Sequence, residues 1–162
     1  MLSHGGNSLL AVEVGTDPKE YTRKVRRAWE RFICGIDTAP PVRPPIVHSW
    51  RRCLSAGVDA ARAMAPTLLD CESTASQWKN HPLHDIVEDL LSGVVETAIH
   101  QTSHLFVVAD PQGVILRIIG DPALRRLADR FHFVEGASWL ETEAGSNAIG
   151  TALASGEPVQ ML

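Results

Sequence analysis

Leu105-Phe106-Val107-Val108-Ala109-Asp110-Pro111-Gln112-Gly113-Val114-Ile115-Leu116-Arg117-Ile118-Ile119 is the stretch that decides the fold. Two short apolar runs rich in β-formers flank Asp-Pro-Gln-Gly, a set of turn residues. A four-residue connection between two such runs makes an antiparallel hairpin. Asp110 and Gly113 are assigned to that turn, because aspartate accepts from nearby backbone amides and glycine tolerates positive φ.

Downstream, Asp121-Pro122 is a cap-and-proline start for a helix carrying Leu124, Leu127 and Ala128. Phe131-His132-Phe133-Val134 and Glu135-Gly136-Ala137-Ser138-Trp139 follow, and Trp139 precedes an acidic, helix-like stretch. Ser146 is expected to cap a further helix that closes at Gly156. The apolar run from Pro158 then reads as entry to another strand, so the chain is expected to end in mid-domain, with an open edge on its sheet.

Upstream, residues 83–101 carry Ile86, Val87, Leu90, Leu91, Val94, Val95, Ala98 and Ile99 as a broad apolar face, wide enough for a core and a second subunit. Residues 59–82 show no clean period and read mostly as a linker, with room for a short helix over 60–69. The run from Thr38 to Pro45 holds four prolines and reads as a stiff extended connector. It joins two helices. The first starts at Asp17-Pro18 and places Tyr21, Val25, Ala28, Trp29, Phe32 and Ile33 on one stripe. The second turns Ile46, Trp50, Cys53 and Leu54 inward, with Gly57 as its stop. Residues 1–16 have no sustained period and read as a tail. The expected organisation is therefore a tail (1–16), a helical lead-in (17–58), a linker (59–82) and a partial domain (83–162). The fold class is α+β, with helices on an antiparallel sheet rather than a doubly wound fold.

The 162 residues are 44% hydrophobic, enough for a core, with a net charge of -4 that argues against broad nucleic-acid binding. Charge is uneven: residues 17–62 hold ten basic and five acidic side chains, and residues 63–162 hold five and thirteen. The basic helix reads as a solvated face rather than a phosphate-binding one. The three cysteines, Cys34, Cys53 and Cys71, form no CxxC pair and fit a reducing cytosol. No apolar run reaches membrane-spanning length, and the polar start is unlike a signal peptide.

Catalytic patterns are absent. The glycine-bordered segment from Gly145 to Gly156 lacks both the P-loop ending and GxGxxG spacing, and its small residues suit a tightly packed helix. Ser146 lacks the GxSxG elbow and reads as a cap. The pairs His81/His84 and His100/His104 have metal-compatible spacing but no supporting thiolate, so no metal or other cofactor is expected.

Three segments in order carry a resemblance: Ser49-Trp50-Arg51-Arg52-Cys53, the Asp110-Pro111-Gln112-Gly113-Val114-Ile115-Leu116 hairpin, and Gly145-Ser146-Asn147-Ala148-Ile149-Gly150-Thr151-Ala152-Leu153. Together they resemble the amino-terminal sensory region of bacterial sigma-54-dependent activators of the acetoin-catabolism-regulator type, in which an SWxRC helix precedes a GAF domain. The likeness covers roughly Pro40 to Leu162, with Ser146 standing where that family usually has threonine. It implies a cytoplasmic, non-enzymatic module that binds a small metabolite beside the sheet and signals through flanking helices. ATPase and DNA-binding domains, which that family normally has, are not in this sequence.

By position, Phe106, Val108, Trp139, Asn147 and Thr151 are the expected pocket residues. A homodimer through helices 17–35 and 83–101, or through the open sheet edge, is the expected assembly, with no direct nucleic-acid or membrane partner. Two alternatives stand beside this reading. One is a GAF-type enzyme such as a free methionine sulfoxide reductase, which would need thiols near the sheet. The other is a structural remnant that only associates with other chains.

Overall fold

The computed structural model describes residues 17–60, 64–91, 97–99 and 104–161. The elements run α1 (Pro18–Ile33), α2 (Pro44–Ser55), α3 (Cys71–Lys79), α4 (His84–Leu91), β1 (Leu105–Ala109), β2 (Ile115–Gly120), α5 (Pro122–Asp129), α6 (Glu141–Ala144) and α7 (Ala148–Ser155). The fold is α+β, as the order of periods implies.

β1 and β2 form the antiparallel hairpin, with Phe106 opposite Ile119 and Val108 opposite Arg117, and the register shifts between Val108 and Ala109. Asp110 makes the turn: its Oδ1 accepts from the amides of Gln112 and Val114, both at 2.9 Å. Gly113 has φ +76, and a Cβ there would sit 2.8 Å from Leu140 Cγ, so both conformation and space demand glycine. No strand pairs with the other edge of β1 among the described residues. β2 is partly covered on its outer side by Ile115, which donates to Ala137 O at 3.0 Å and accepts from Gly136 N–H at 2.8 Å, and by Ile118 N–H donating to Glu135 Oε1 at 2.9 Å.

Two hydrophobic clusters form. One joins Trp78 of α3, Val87 and Leu91 of α4, and Val108, Val114, Leu116 and Ile119 of the hairpin. The other joins Ala28 and Phe32 of α1 to Ile46 and Trp50 of α2, with Val25, Trp29, Val42 and Met161 packed against it. The Trp29 and Trp50 rings lie 5.1 Å apart.

Several expectations need correction. Pro44 and Pro45 do not extend the connector; they occupy the first turn of α2, where a missing amide costs nothing. α3 forms within residues 59–82 because Asp70 caps it, accepting from Ser73 N–H at 2.7 Å, and Trp78 anchors it in the core. Residues 65–69 are not helical; Thr67 bridges to Ala137. The cap of α7 is Asn147, not Ser146: Asn147 Oδ1 accepts from Gly150 N–H at 2.8 Å. Residues 157–161 form no strand; instead Arg43 Nη1 donates to Gln160 O at 2.8 Å and Met161 reaches the α1–α2 cluster.

Helical faces are also narrower than periodicity implies. Leu54, Ile86 and Leu90 are exposed, while Val87 and Leu91 are buried. Residues 92–96, in the middle of the 83–101 face, lie outside the described residues, as does the 1–16 tail.

Candidate functional site

The segment Ser49-Trp50-Arg51-Arg52-Cys53 is helical, so its residues diverge around α2. Trp50 turns to α1, whereas Ser49, Arg52 and Cys53 contact the segment from Glu141 to Thr151. Arg52 grips Glu141 with two parallel bonds, Nε to Oε2 at 2.6 Å and Nη2 to Oε1 at 2.9 Å. Such fork-to-fork pairs are stronger and more directional than single bonds. Thr151 Oγ1 donates to Glu141 Oε1 at 2.5 Å, and lies 3.2 Å from Ser49 Oγ, which in turn is 2.6 Å from Ser146 Oγ. Glu141, Ser49 and Thr151 are buried, with Ser49 and Thr151 at 0% and 1% exposure.

Burial by itself pushes the Glu141 carboxyl up, but the hydrogen bonds from Arg52, Ser49 and Thr151 and the Arg52 charge together outweigh it, so its pKa is held below the usual glutamate value. The bond to Glu141 raises the Arg52 pKa in turn. Burial, then the Glu141 charge, push the Cys53 thiol up; it stays protonated and donates to Glu141 O at 3.5 Å. A protonated, buried thiol is a poor nucleophile.

α7 docks against this clamp closely enough that a Cβ on Gly150 would fall 2.6 Å from Glu141 N and 2.7 Å from Trp139 O. The small residues of the glycine-bordered helix thus serve tight packing, here against the chain at 139–141.

Two clefts flank the clamped body. The sheet-side cleft, about 550 Å³, lies between α3, β2 and the 132–135 segment. Its polar lining includes Arg117, 3.1 Å from Glu88, Arg125, 3.0 Å from Glu135, and His132, whose two ring nitrogens meet Ala65 O and Thr67 Oγ1. His132 sits at φ +59, an uncommon conformation for a non-glycine residue, held by those two bonds. The joint cleft, about 500 Å³, lies between α1, α2 and the Ala144–Ser146 turn, and is lined mostly by apolar side chains.

The five expected pocket residues separate into two groups. Val108 is buried in the hairpin cluster and Phe106 packs on it. Trp139, Asn147 and Thr151 come together around Glu141: Asn147 Nδ2 donates to Trp139 O at 2.9 Å, and Thr151 joins the clamp. Trp139 also meets Phe133 edge-on at 4.8 Å, and its indole nitrogen is buried with no hydrogen-bond partner among the described residues. None of the five lines either cleft. The residues that reasoning from sequence missed are Ser49, Arg52 and Glu141. For Ser49 and Arg52 the signal was the SWRRC segment itself, whose polar members point away from the Trp50 face; Glu141, 89 positions after Arg52, had no local signal.

His81 and His84 stack on Trp78, with ring centroids 5.9 and 5.2 Å from it. No cluster of His, Cys, Asp and Glu fit to hold a metal occurs among the described residues, and His100 lies outside them.

The family described as the MimR N-terminal domain matches residues 22–161. The chain is 34% identical over 134 residues to the acetoin dehydrogenase operon transcriptional activator AcoR of Bacillus subtilis, covering 82% of this chain and 22% of that protein. It is 29% identical over 143 residues to the propane 2-monooxygenase operon transcriptional activator MimR of Mycolicibacterium goodii, covering 87% and 23%. An uncharacterized 47.3 kDa protein of Rhodococcus erythropolis is 31% identical over 163 residues, covering 96% and 37%. The chain therefore spans between about a fifth and somewhat over a third of the length of these relatives. The fold is similar to a chain of the E. coli DhaR(N)–DhaL complex, with a TM-score of 0.54 and 23% identity over 71% of this chain and 39% of that one.

Proposed function

The chain belongs to the MimR N-terminal domain family, and from that premise we infer that it is the signal-input region of a bacterial transcriptional activator, acting without catalysis by sensing a small molecule and self-associating. The observation that carries this reading is the clamp. A buried carboxylate, a bidentate arginine and two buried hydroxyls lock the lead-in helix α2 to the body that bears both clefts. A ligand that alters the packing of α6 and α7 thereby alters the seat of α2, and a two-state shift of that kind needs only unequal affinity for the two arrangements.

The sheet-side cleft is the place for a small polar metabolite, since Arg117 and Arg125 line it with N–H groups beyond those their ion pairs use, and Glu135 adds carboxylate acceptors. Trp139, whose indole N–H has no partner among the described residues, and Asn147 and Thr151 beside it act on the response, through the clamp, while Phe106 and Val108 support the sheet floor. Self-association uses α4, where Ile86 and Leu90 are exposed beside Leu83 just before the helix, or the edge of β1 that no strand pairs with among the described residues.

The test pairs sedimentation of the purified chain with a thermal-shift screen of small acids, diols and purines. A dimer whose melting temperature rises with one compound class, and loses that rise in Arg125→Ala, is the expected result, because binding to the native state alone stabilises it. A monomer that no compound stabilises would sink the reading.

A further inference from the structure

The basic face of α1 is more than a bare helix surface in the fold. The segment 37–41 returns beside it, so that Glu20, Arg23, Lys24, Arg27 and Arg31 on one side and Asp37 and Pro41 on the other enclose a groove of about 520 Å³, floored by the buried Ala28. Asp37 fixes the second wall: its Oδ1 accepts from Ala39 N–H at 3.1 Å, and its Oδ2 lies 4.0 Å from Arg31 Nε. Four cations against two carboxylates give this lining a net charge of +2, in a chain whose net charge is -4. Arg23, Arg27 and Arg31 stand at successive turns of α1, about 6 Å apart along its axis. Like charges at that spacing repel. The neighbouring face of the helix relieves its own arginine, since Arg26 pairs with Glu30 at 3.3 Å. In the groove the cations are far less engaged. Arg31 has the long contact to Asp37, Arg23 Nε turns back to Lys19 O at 3.4 Å, and Lys24 and Arg27 have no hydrogen-bond or ion-pair partner among the described residues.

We propose that this groove binds a short dicarboxylate. Its two charges match the net charge of the lining. The forks of Arg23 and Arg27, one turn apart, each suit one planar carboxylate, with Lys24 as a point charge beside them. A single phosphate serves one fork and leaves the other bare. Glu20 and Asp37 stand before and after the row of cations, so a longer polyanion such as nucleic acid meets repulsion where it would leave the groove. A bound dicarboxylate removes the repulsion along α1, whose buried residues Ala28 and Phe32 pack on Ile46 and Trp50 of α2, and so steadies the helical lead-in. Binding here does not depend on a metabolite in the sheet-side cleft; only its regulatory consequence rests on the proposed function.

The experiment is isothermal titration of the whole chain with succinate at fixed ionic strength, with acetate, inorganic phosphate and a short DNA duplex as comparators. The expected result is saturable binding of succinate, weakened about fivefold by Arg23→Gln or Arg27→Gln, the loss of one water-screened ion pair. Arg26→Gln removes the same charge from the neighbouring face and should leave the affinity unchanged. Asp37→Asn keeps the turn acceptor and removes a repelling charge, so it should bind succinate more tightly, a gain that no loss of folding can imitate. Absence of saturable succinate binding, an equal loss in Arg26→Gln, acetate or phosphate binding as tightly as succinate, or DNA binding that succinate does not displace would each overturn the proposal. The two sites are told apart by their variants: stabilisation through this groove survives Arg125→Ala and is lost in Arg27→Gln.

Discussion

Glu141 is the residue on which most of the molecule's polar interior depends. It is 5% exposed and meets Arg52, Ser49 and Thr151 at once, so replacing it leaves a guanidinium and two hydroxyls short of their acceptor. Glu141→Gln keeps the shape and removes the charge, and should cost about 2 kcal/mol in urea unfolding, the half-exposed Arg52 being partly rescued by water. Its folded pKa lies below its unfolded one, so the stability it contributes is fully present above the ordinary glutamate pKa of about 4.3 and is lost as pH falls through the lower folded value. The acid limb of a stability profile should therefore flatten in Glu141→Gln, whereas the neutral region shifts uniformly downward. Gly150→Ala sets a methyl against backbone on both sides and should cost about 1–3 kcal/mol, visible as a lower melting temperature.

Among the elements, α5 owes its start to one side chain. Asp121 accepts from Ala123 N–H at 2.6 Å and Leu124 N–H at 3.2 Å, and Asp121→Ala should cost about 1 kcal/mol in a denaturant titration. α4 is a different case, since Val87 and Leu91 bury while Ile86 and Leu90 stay in solvent, as does Leu83 just before it. If α4 is the contact between copies, Ile86→Lys with Leu90→Lys should yield a folded monomer by sedimentation; an unchanged dimer would move the interface to β1 or α1. The boundaries of these elements show which local signals suffice. Asp17-Pro18 and Asp121-Pro122 announce helices because cap and proline act within three residues. Pro44-Pro45 misled because two prolines suit an extended run and a first helical turn equally well.

At the scale of the whole molecule, the α1–α2 cluster and the hairpin cluster are separate hydrophobic units, and the clamp ties α2 to the 141–151 segment, which reaches the hairpin turn through Trp139 N–H donating to Gly113 O at 2.8 Å. Cutting it should separate their unfolding. Arg52→Ala with Thr151→Val is expected to split a single thermal transition into two, the fluorescence of Trp29 and Trp50 changing before that of Trp78. One shared transition in that variant would mean that Met161 and the remaining contacts are enough to couple them.

The hairpin, the α+β class and the first two helices were legible in the sequence, because turn residues, caps and periodicity are local and act over a few positions. The three-segment resemblance likewise named the family. Which faces are buried, and what the SWRRC residues touch, was not legible. Ser49 and Ser146, Arg52 and Glu141, and Ser49 and Thr151 lie 97, 89 and 102 positions apart, and no local pattern records such a distance. Only packing brings those hydroxyls, that arginine and that carboxylate together, and only burial, by removing water as an alternative partner, makes them depend on one another.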